Sequence, residues 1–349
     1  MQYSNWAIES DYTLGKIFKH SERFIPSITE ASHFYNLSFV KSSKGKKAWE
    51  QFFHYPDVVF NLSYADFGDD EIFGDGISAY VALNQSKIKG KLIRHWRYGF
   101  GVGYLNKPFH QIYNPTNNVI GSEINLTMKL GYGYEFLLQP NLGIQAMAMA
   151  SHHSNGRVEL PNLGINVLGV QVGLKYYSTS KHSRNGNRIE NNINKKPKLQ
   201  INIGFARSEL SEPINGPKYP VYIFGLFGQH STSLKSKWHY GIEASYFEST
   251  YRFILNNQSH NENEKLISSR LSPYVGYEHI IGRVGIVGLV GAYVYGPFKV
   301  EGPISTKMGF KYYVLPFNRQ NTNEIFIAGY LKAHYAKAEY LEVNLGYVF

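Results

Sequence analysis

The chain has 349 residues, 15% of them aromatic and only 18% charged, with 28 Tyr, 33 Gly and no Cys. The missing cysteine excludes disulfide scaffolds, thiolate metal sites and cysteine nucleophiles, and a mean hydropathy of −0.31 without any run of 18 apolar residues excludes a helical membrane protein. The formal charge of +10 suits an anionic surrounding, whether nucleic acid, phospholipid or lipopolysaccharide, without choosing among them.

The opening residues Met1-Gln2-Tyr3-Ser4-Asn5-Trp6 show neither a basic n-region nor an apolar h-region. A secreted protein needs such a leader, so the expectation is that it has been processed away or lies upstream of Met1. From there the dominant signal is alternation with period 2. Candidate strands fall at 6–17, 32–41, 57–65, 76–84, 96–105, 123–136, 142–154, 166–178, 199–208, 220–230, 237–249, 267–279, 283–296, 305–314, 324–334 and 338–349. In the clearest, Ile124, Leu126, Met128, Leu130, Tyr132, Tyr134 and Phe136 alternate with Glu123, Asn125, Thr127, Lys129, Gly131, Gly133 and Glu135. A helix would scatter these two sets around its circumference, whereas a strand puts each on one face. The length fits a tilted membrane-spanning strand, with its aromatic residues gathered where an interfacial girdle would lie.

The same pattern sets Leu168, Val170, Val172, Leu174 and Tyr176 against Gly169, Gln171, Gly173 and Lys175. It also closes the chain, with Leu341, Val343, Leu345, Tyr347 and Phe349 on one face. Ending on an alternating strand with a terminal Phe resembles the signature of bacterial outer-membrane barrels, so an edge strand of a soluble sandwich is the weaker reading. The fold expected is therefore all-β: a transmembrane antiparallel β-barrel of about 14–16 strands, with two tandem eight-stranded barrels as the alternative. An even count puts both ends of the chain on the periplasmic side. Short turns at 137–141, 231–236 and 280–282 then fall inside, and long polar connections such as 106–122 and 250–266 outside.

The halves echo each other. Leu126-x-Met128-x-Leu130-x-Tyr132 matches Thr306-x-Met308-x-Phe310-x-Tyr312, and Ala150-Ser151-His152-His153-Ser154-Asn155 matches Leu331-Lys332-Ala333-His334-Tyr335-Ala336. The organisation expected is a first half over 1–178, a polar linker or long periplasmic turn over 179–198, and a second half over 199–349. In that second half Ala333 and Tyr335 replace His152 and Ser154, leaving no catalytic set.

The informative stretch is His152-His153-Ser154-Asn155-Gly156, followed by Pro161-Asn162-Leu163-Gly164-Ile165-Asn166. His152 and Ser154 continue the apolar face of Leu142, Ile144, Ala146, Ala148 and Ala150, and Asn166 continues that of Leu168 and Val170. Three polar groups thus stand at the outer end of two adjacent strands, facing lipid, where an unpaired polar group is costly. The bland reading is a polar strand end running into a turn. The chemical one is ester hydrolysis: a serine needs a base to take its proton, and a His two residues along a strand shares its face. A third group should orient the imidazole, and N–H groups should stabilise the oxyanion. His153 falls on the lumen side.

His-x-Ser-Asn at a strand end, with a polar residue opening the next strand a dozen residues later, resembles the lipid A 3-O-deacylases of the PagL type. That family is an eight-stranded outer-membrane barrel with its active site on the lipid-facing exterior, and residues 1–178 would correspond to the whole of it. The resemblance implies Ser154 as nucleophile, His152 as general base, and Asn155 with the backbone near Gly156 as oxyanion hole. The family's orienting acid is a Glu, and this chain has Asn166 there, with Glu159 in the connecting loop as the alternative third member. The expected protein is an outer-membrane serine esterase removing an ester-linked 3-hydroxyacyl chain from lipid A, using no metal or cofactor. Its expected partner is lipopolysaccharide of the outer leaflet rather than nucleic acid. The competing class is a non-enzymatic barrel, a channel or structural protein with a decayed site.

Overall fold

The computed structural model describes residues 6–178, 195–209, 216–257, 263–298, 302–314, 323–335 and 337–349. All but the last four residues of the expected linker 179–198 lie outside these. Sixteen strands form two closed antiparallel eight-stranded barrels, each in its own compact unit. The first comprises β1 (Trp6–Ile17), β2 (Ser32–Lys41), β3 (Asp57–Asp66), β4 (Asp75–Lys89), β5 (Leu92–Leu105), β6 (Ile124–Gln139), β7 (Leu142–Ser154) and β8 (Ile165–Tyr177). The second comprises β9 (Lys198–Glu209), β10 (Lys218–Ser233), β11 (Ser236–Phe247), β12 (Ser269–Ile281), β13 (Val284–Ala292), β14 (Ile304–Tyr313), β15 (Glu324–His334) and β16 (Lys337–Val348). Among the described residues no helix is long and apolar enough to cross a membrane.

A single barrel of 14–16 strands is therefore not what forms; the tandem arrangement is. β8 turns back onto β1, from Ala7 opposite Tyr177 to Ile17 opposite Val167, and β16 pairs with β9 from Glu342 opposite Ala206 to Val348 opposite Gln200. The physical reason lies in the inward faces. An eight-stranded barrel has an interior just wide enough for side chains to fill, whereas sixteen strands enclose an aqueous channel. Here the inward residues are built to meet one another. In the first barrel Glu9 takes Lys175 at 2.5 Å and Arg97 at 2.8 Å, and Glu135 takes His95 at 2.8 Å. In the second, Lys307 bridges Glu243 at 2.5 Å and Glu342 at 2.8 Å, while Lys237 reaches Glu324 at 2.6 Å. All these groups are buried, and buried charges persist only when paired this closely.

The outward faces carry the apolar sets that the alternation predicts, with Ile124, Leu130, Leu168, Val170, Val343 and Leu345 all exposed on the outside of the wall. The β4–β5 hairpin runs further than expected, to a turn at Gly90 with φ +62. Strand pairing there continues past the apolar band, so hydrophobic pattern alone cuts it short. At the outer end of the first barrel an apolar plug closes the lumen. Phe24 from the β1–β2 loop, Phe67 and Phe73 from the β3–β4 connection, and Val119 and Ile120 from the β5–β6 loop pack on Phe34, Ile165 and Val167. This plug is the platform on which the loops around Ser154 rest. With both lumens filled by ion pairs, purified protein in planar bilayers is expected to show no stepwise conductance. Porin-sized steps would mean that a lumen is open.

Candidate active site

β7 and β8 pair with His152 opposite Asn166 and His153 opposite Ile165. Because side chains alternate, His152, Ser154 and Asn166 project from the outside of the wall while His153 points into the lumen. His153 is only 2% exposed; its Nδ1 lies 3.1 Å from Thr127 Oγ1, and its ring meets Phe67 edge-on. Its neighbours make it part of the interior packing. His152, Ser154 and Asn166 are half-buried under the loops that rise from the strand ends.

His152 Nδ1 lies 2.7 Å from Asn166 Oδ1, and Asn166 Nδ2 lies 2.7 Å from His20 Nδ1. The Ser154 hydroxyl is held by Asn162, which donates from Nδ2 to Ser154 Oγ at 2.9 Å, with Asn162 Oδ1 3.3 Å away. Asn162 Oδ1 also accepts the backbone N–H of Asn155 at 3.2 Å. The Asn155 side chain turns into the loop, its Nδ2 donating to Ser122 Oγ and to the Glu159 carbonyl oxygen, both at 2.9 Å. Glu159 thus meets Asn155 through its backbone. Gly156 follows with φ +65.

Gly164 shows why this loop needs its glycine. It sits at φ +83, and a Cβ there would lie 2.7 Å from His152 Cε1. Only glycine combines that backbone conformation with the closeness the imidazole requires. The Gly164 N–H is held by the Val119 carbonyl at 2.9 Å, which ties the loop to the plug.

Sequence reasoning thus named His152, Ser154, Asn155, Gly156, Glu159 and Asn166, and the structure brings His152 to Asn166 directly. It passed over Asn162 and His20. Asn162 sits within the quoted Pro161–Gly164 stretch, where a polar side chain beside a turn glycine is the available signal. His20 gives no local signal, because only the β1–β8 closure brings it near.

In the second barrel His334 is buried, with Nε2 2.9 Å from Glu339 Oε2 and Nδ1 3.0 Å from the Ile304 carbonyl oxygen. Pairing also places Leu331 opposite Met308 and Ala333 opposite Thr306, whereas His152 and Ser154 lie opposite Met128 and Leu126. By register, Leu331 and Ala333 hold the places of His152 and Ser154, two residues earlier than sequence alignment suggests. Neither can act as base or nucleophile.

Two family models match the sequence. Residues 33–175 match the one described as lipid A 3-O-deacylase (PagL), and residues 197–349 the one described as acyloxyacyl hydrolase, C-terminal domain. Comparison with curated proteins returned no match. Among solved structures, the outer membrane enzyme PagL is similar over 47% of this chain and 97% of its own, at 16% identity and a TM-score of 0.33. An outer membrane channel from Pseudomonas putida F1 is similar over 100% of this chain and 96% of its own, at 9% identity and a TM-score of 0.23. A porin mutant of Rh. blastica covers 99% of each, at 7% identity and a TM-score of 0.19.

Proposed function

Because the chain belongs to the lipid A 3-O-deacylase (PagL) family of the bacterial outer membrane, as a longer, two-barrel member, we propose that it is a serine esterase that releases an ester-linked 3-hydroxyacyl chain from lipid A in the outer leaflet. One observation carries this reading. A histidine, its hydrogen-bonded amide partner and a serine share the outward face at the membrane boundary, where stability alone would favour apolar residues.

The chemistry follows from the groups present. Ser154 gives its proton to His152 Nε2 as its oxygen attacks the ester carbonyl carbon, and the carbonyl oxygen becomes an oxyanion. Donors at the Ser154 end stabilise it: Asn162 Nδ2, which already donates to Ser154 Oγ, the backbone N–H of Gly156, and the backbone N–H of Asn155 once it turns from Asn162 Oδ1 to the oxyanion. The imidazolium of His152 then protonates the departing sugar oxygen, leaving an acyl-serine that water cleaves by the same steps in reverse. Asn166 holds the His152 ring in place throughout. The lipid face is the right address, since an acyl chain lying in the bilayer reaches the serine without leaving hydrocarbon. The positive charge of the chain suits the phosphates of lipid A.

The channel alternative has the filled lumens against it. Mass spectrometry of lipid A from cells with and without the protein tests the proposal. The expected spectrum gains species lighter by one 3-hydroxyacyl group when the protein is made. Identical spectra under both conditions would remove the esterase reading.

A further inference from the structure

The geometry around Asn166 points to a further member of the site, an inference that rests on the esterase reading. His20 stands in the β1–β2 loop, far from Ser154 in sequence, with Nε2 3.0 Å from the Leu163 carbonyl oxygen and Nδ1 2.7 Å from Asn166 Nδ2. A carbonyl oxygen can only accept, so Nε2 of His20 carries a ring hydrogen, and in an imidazole with one hydrogen that leaves none on Nδ1. His20 Nδ1 is then a bare lone pair and takes a hydrogen from the Asn166 amide nitrogen. An amide that turns its nitrogen to His20 turns its oxygen the other way, and there His152 Nδ1 lies 2.7 Å off. His152 Nδ1 must therefore carry the hydrogen, and its Nε2 is the free base that a serine requires. Every donor and acceptor in this row follows from one fixed end, the Leu163 carbonyl.

We propose that His20 is a positioning residue: it locks the Asn166 amide with its oxygen toward His152 and thereby sets the His152 tautomer. A carboxylate needs no such lock, because its two oxygens are equivalent acceptors. An amide has one acceptor end and one donor end. Without His20 it can turn over and present Nδ2–H to His152 Nδ1, which drives the imidazole hydrogen onto Nε2, the wrong nitrogen for catalysis.

The loop that carries His20 is held by other contacts, so the lock can be removed without unmaking its frame. The Phe18 N–H donates to the Asn166 carbonyl oxygen at 2.8 Å. Asn118 donates to the Arg23 carbonyl oxygen at 2.5 Å and accepts from the Ile25 N–H at 3.1 Å. Phe24 is buried in the apolar plug, with the His20 ring packed at its edge.

The test uses the full chain in detergent micelles, with lipid A as substrate and ¹⁵N-labelled histidine. His20→Ala is expected to lower kcat roughly ten- to a hundredfold with KM nearly unchanged, because it acts on proton placement in the transition state. His20→Gln, which can donate and accept in the same order, is expected to restore most of the rate. In an Asn166→Glu background the loss from His20→Ala should shrink to within about threefold, since neighbours that share one network are not additive. The His152 ¹⁵N shifts should report hydrogen on Nδ1 in the native chain and a mixture of both tautomers in His20→Ala. Equal loss in both backgrounds, or a His152 tautomer unmoved by His20→Ala, would overturn the proposal. The spectra need no turnover: a tautomer that responds to His20 in a protein that cleaves no lipid A would count against the esterase reading and leave the lock standing.

Discussion

Ser154→Ala should abolish acyl release, lowering kcat by roughly 10⁴-fold or more, because no other group can form the acyl intermediate. Folding should survive the change. The serine hydroxyl is half-buried and bonded to Asn162, and losing one such bond costs about 1 kcal/mol. The variant barrel is expected to keep its folded mobility on a semi-native gel, so lost activity cannot be blamed on lost structure. His153→Ala supplies the contrast. That imidazole lies in the lumen against Thr127 and Phe67, on the far side of the wall from Ser154, and its removal should leave most of the activity. If both changes silence the protein equally while both barrels still fold, the base has been assigned to the wrong histidine.

How far these residues could be found without coordinates depends on what each assignment needs. The faces of the strands were legible because two solvents impose them. Hydrocarbon outside selects Leu168, Val170 and Val172, and a crowded polar interior selects Gln171 and Lys175. The outward placement of His152, Ser154 and Asn166 follows from the same alternation. Closure was not legible, because the alternation within β8 is the same whether its next neighbour is β9 or β1. Only long-range pairing, such as Glu9 with Lys175 across the β1–β8 seam, decides it. That ambiguity had a consequence at the site. In one wide barrel β8 has no reason to lie beside β1, so the loop after β1 stays remote from Asn166 and His20 passes unnoticed. Asn162 was missed for a more local reason: which side chain of an irregular loop reaches Ser154 is settled by backbone turns at Gly156 and Gly164, and no period encodes them.

Asn166→Glu should raise the rate near neutral pH, by roughly tenfold, and the size of the gain follows from what His20 already does. In a serine protease, exchanging the orienting Asp for Asn costs ~10⁴ in rate, largely because the imidazole takes the wrong tautomer. Here the tautomer is set by the row from Leu163 through His20 to Asn166, so the part left for a carboxylate to supply is the attraction of its charge for the imidazolium. Placing that charge near the membrane interface costs at most ~1 kcal/mol on a barrel surface. This is below the ~1.4 kcal/mol that corresponds to each tenfold in rate, so a net gain should remain. The measurement is kcat for acyl release by Asn166→Glu beside the native chain, with Glu159→Gln as its partner. A rate unchanged by Asn166→Glu but removed by Glu159→Gln would make the loop carboxylate the third member. A fall in rate with Asn166→Glu, in a barrel that still folds, would mean that the longer side chain breaks the row to His20 and that the amide itself is what this site requires.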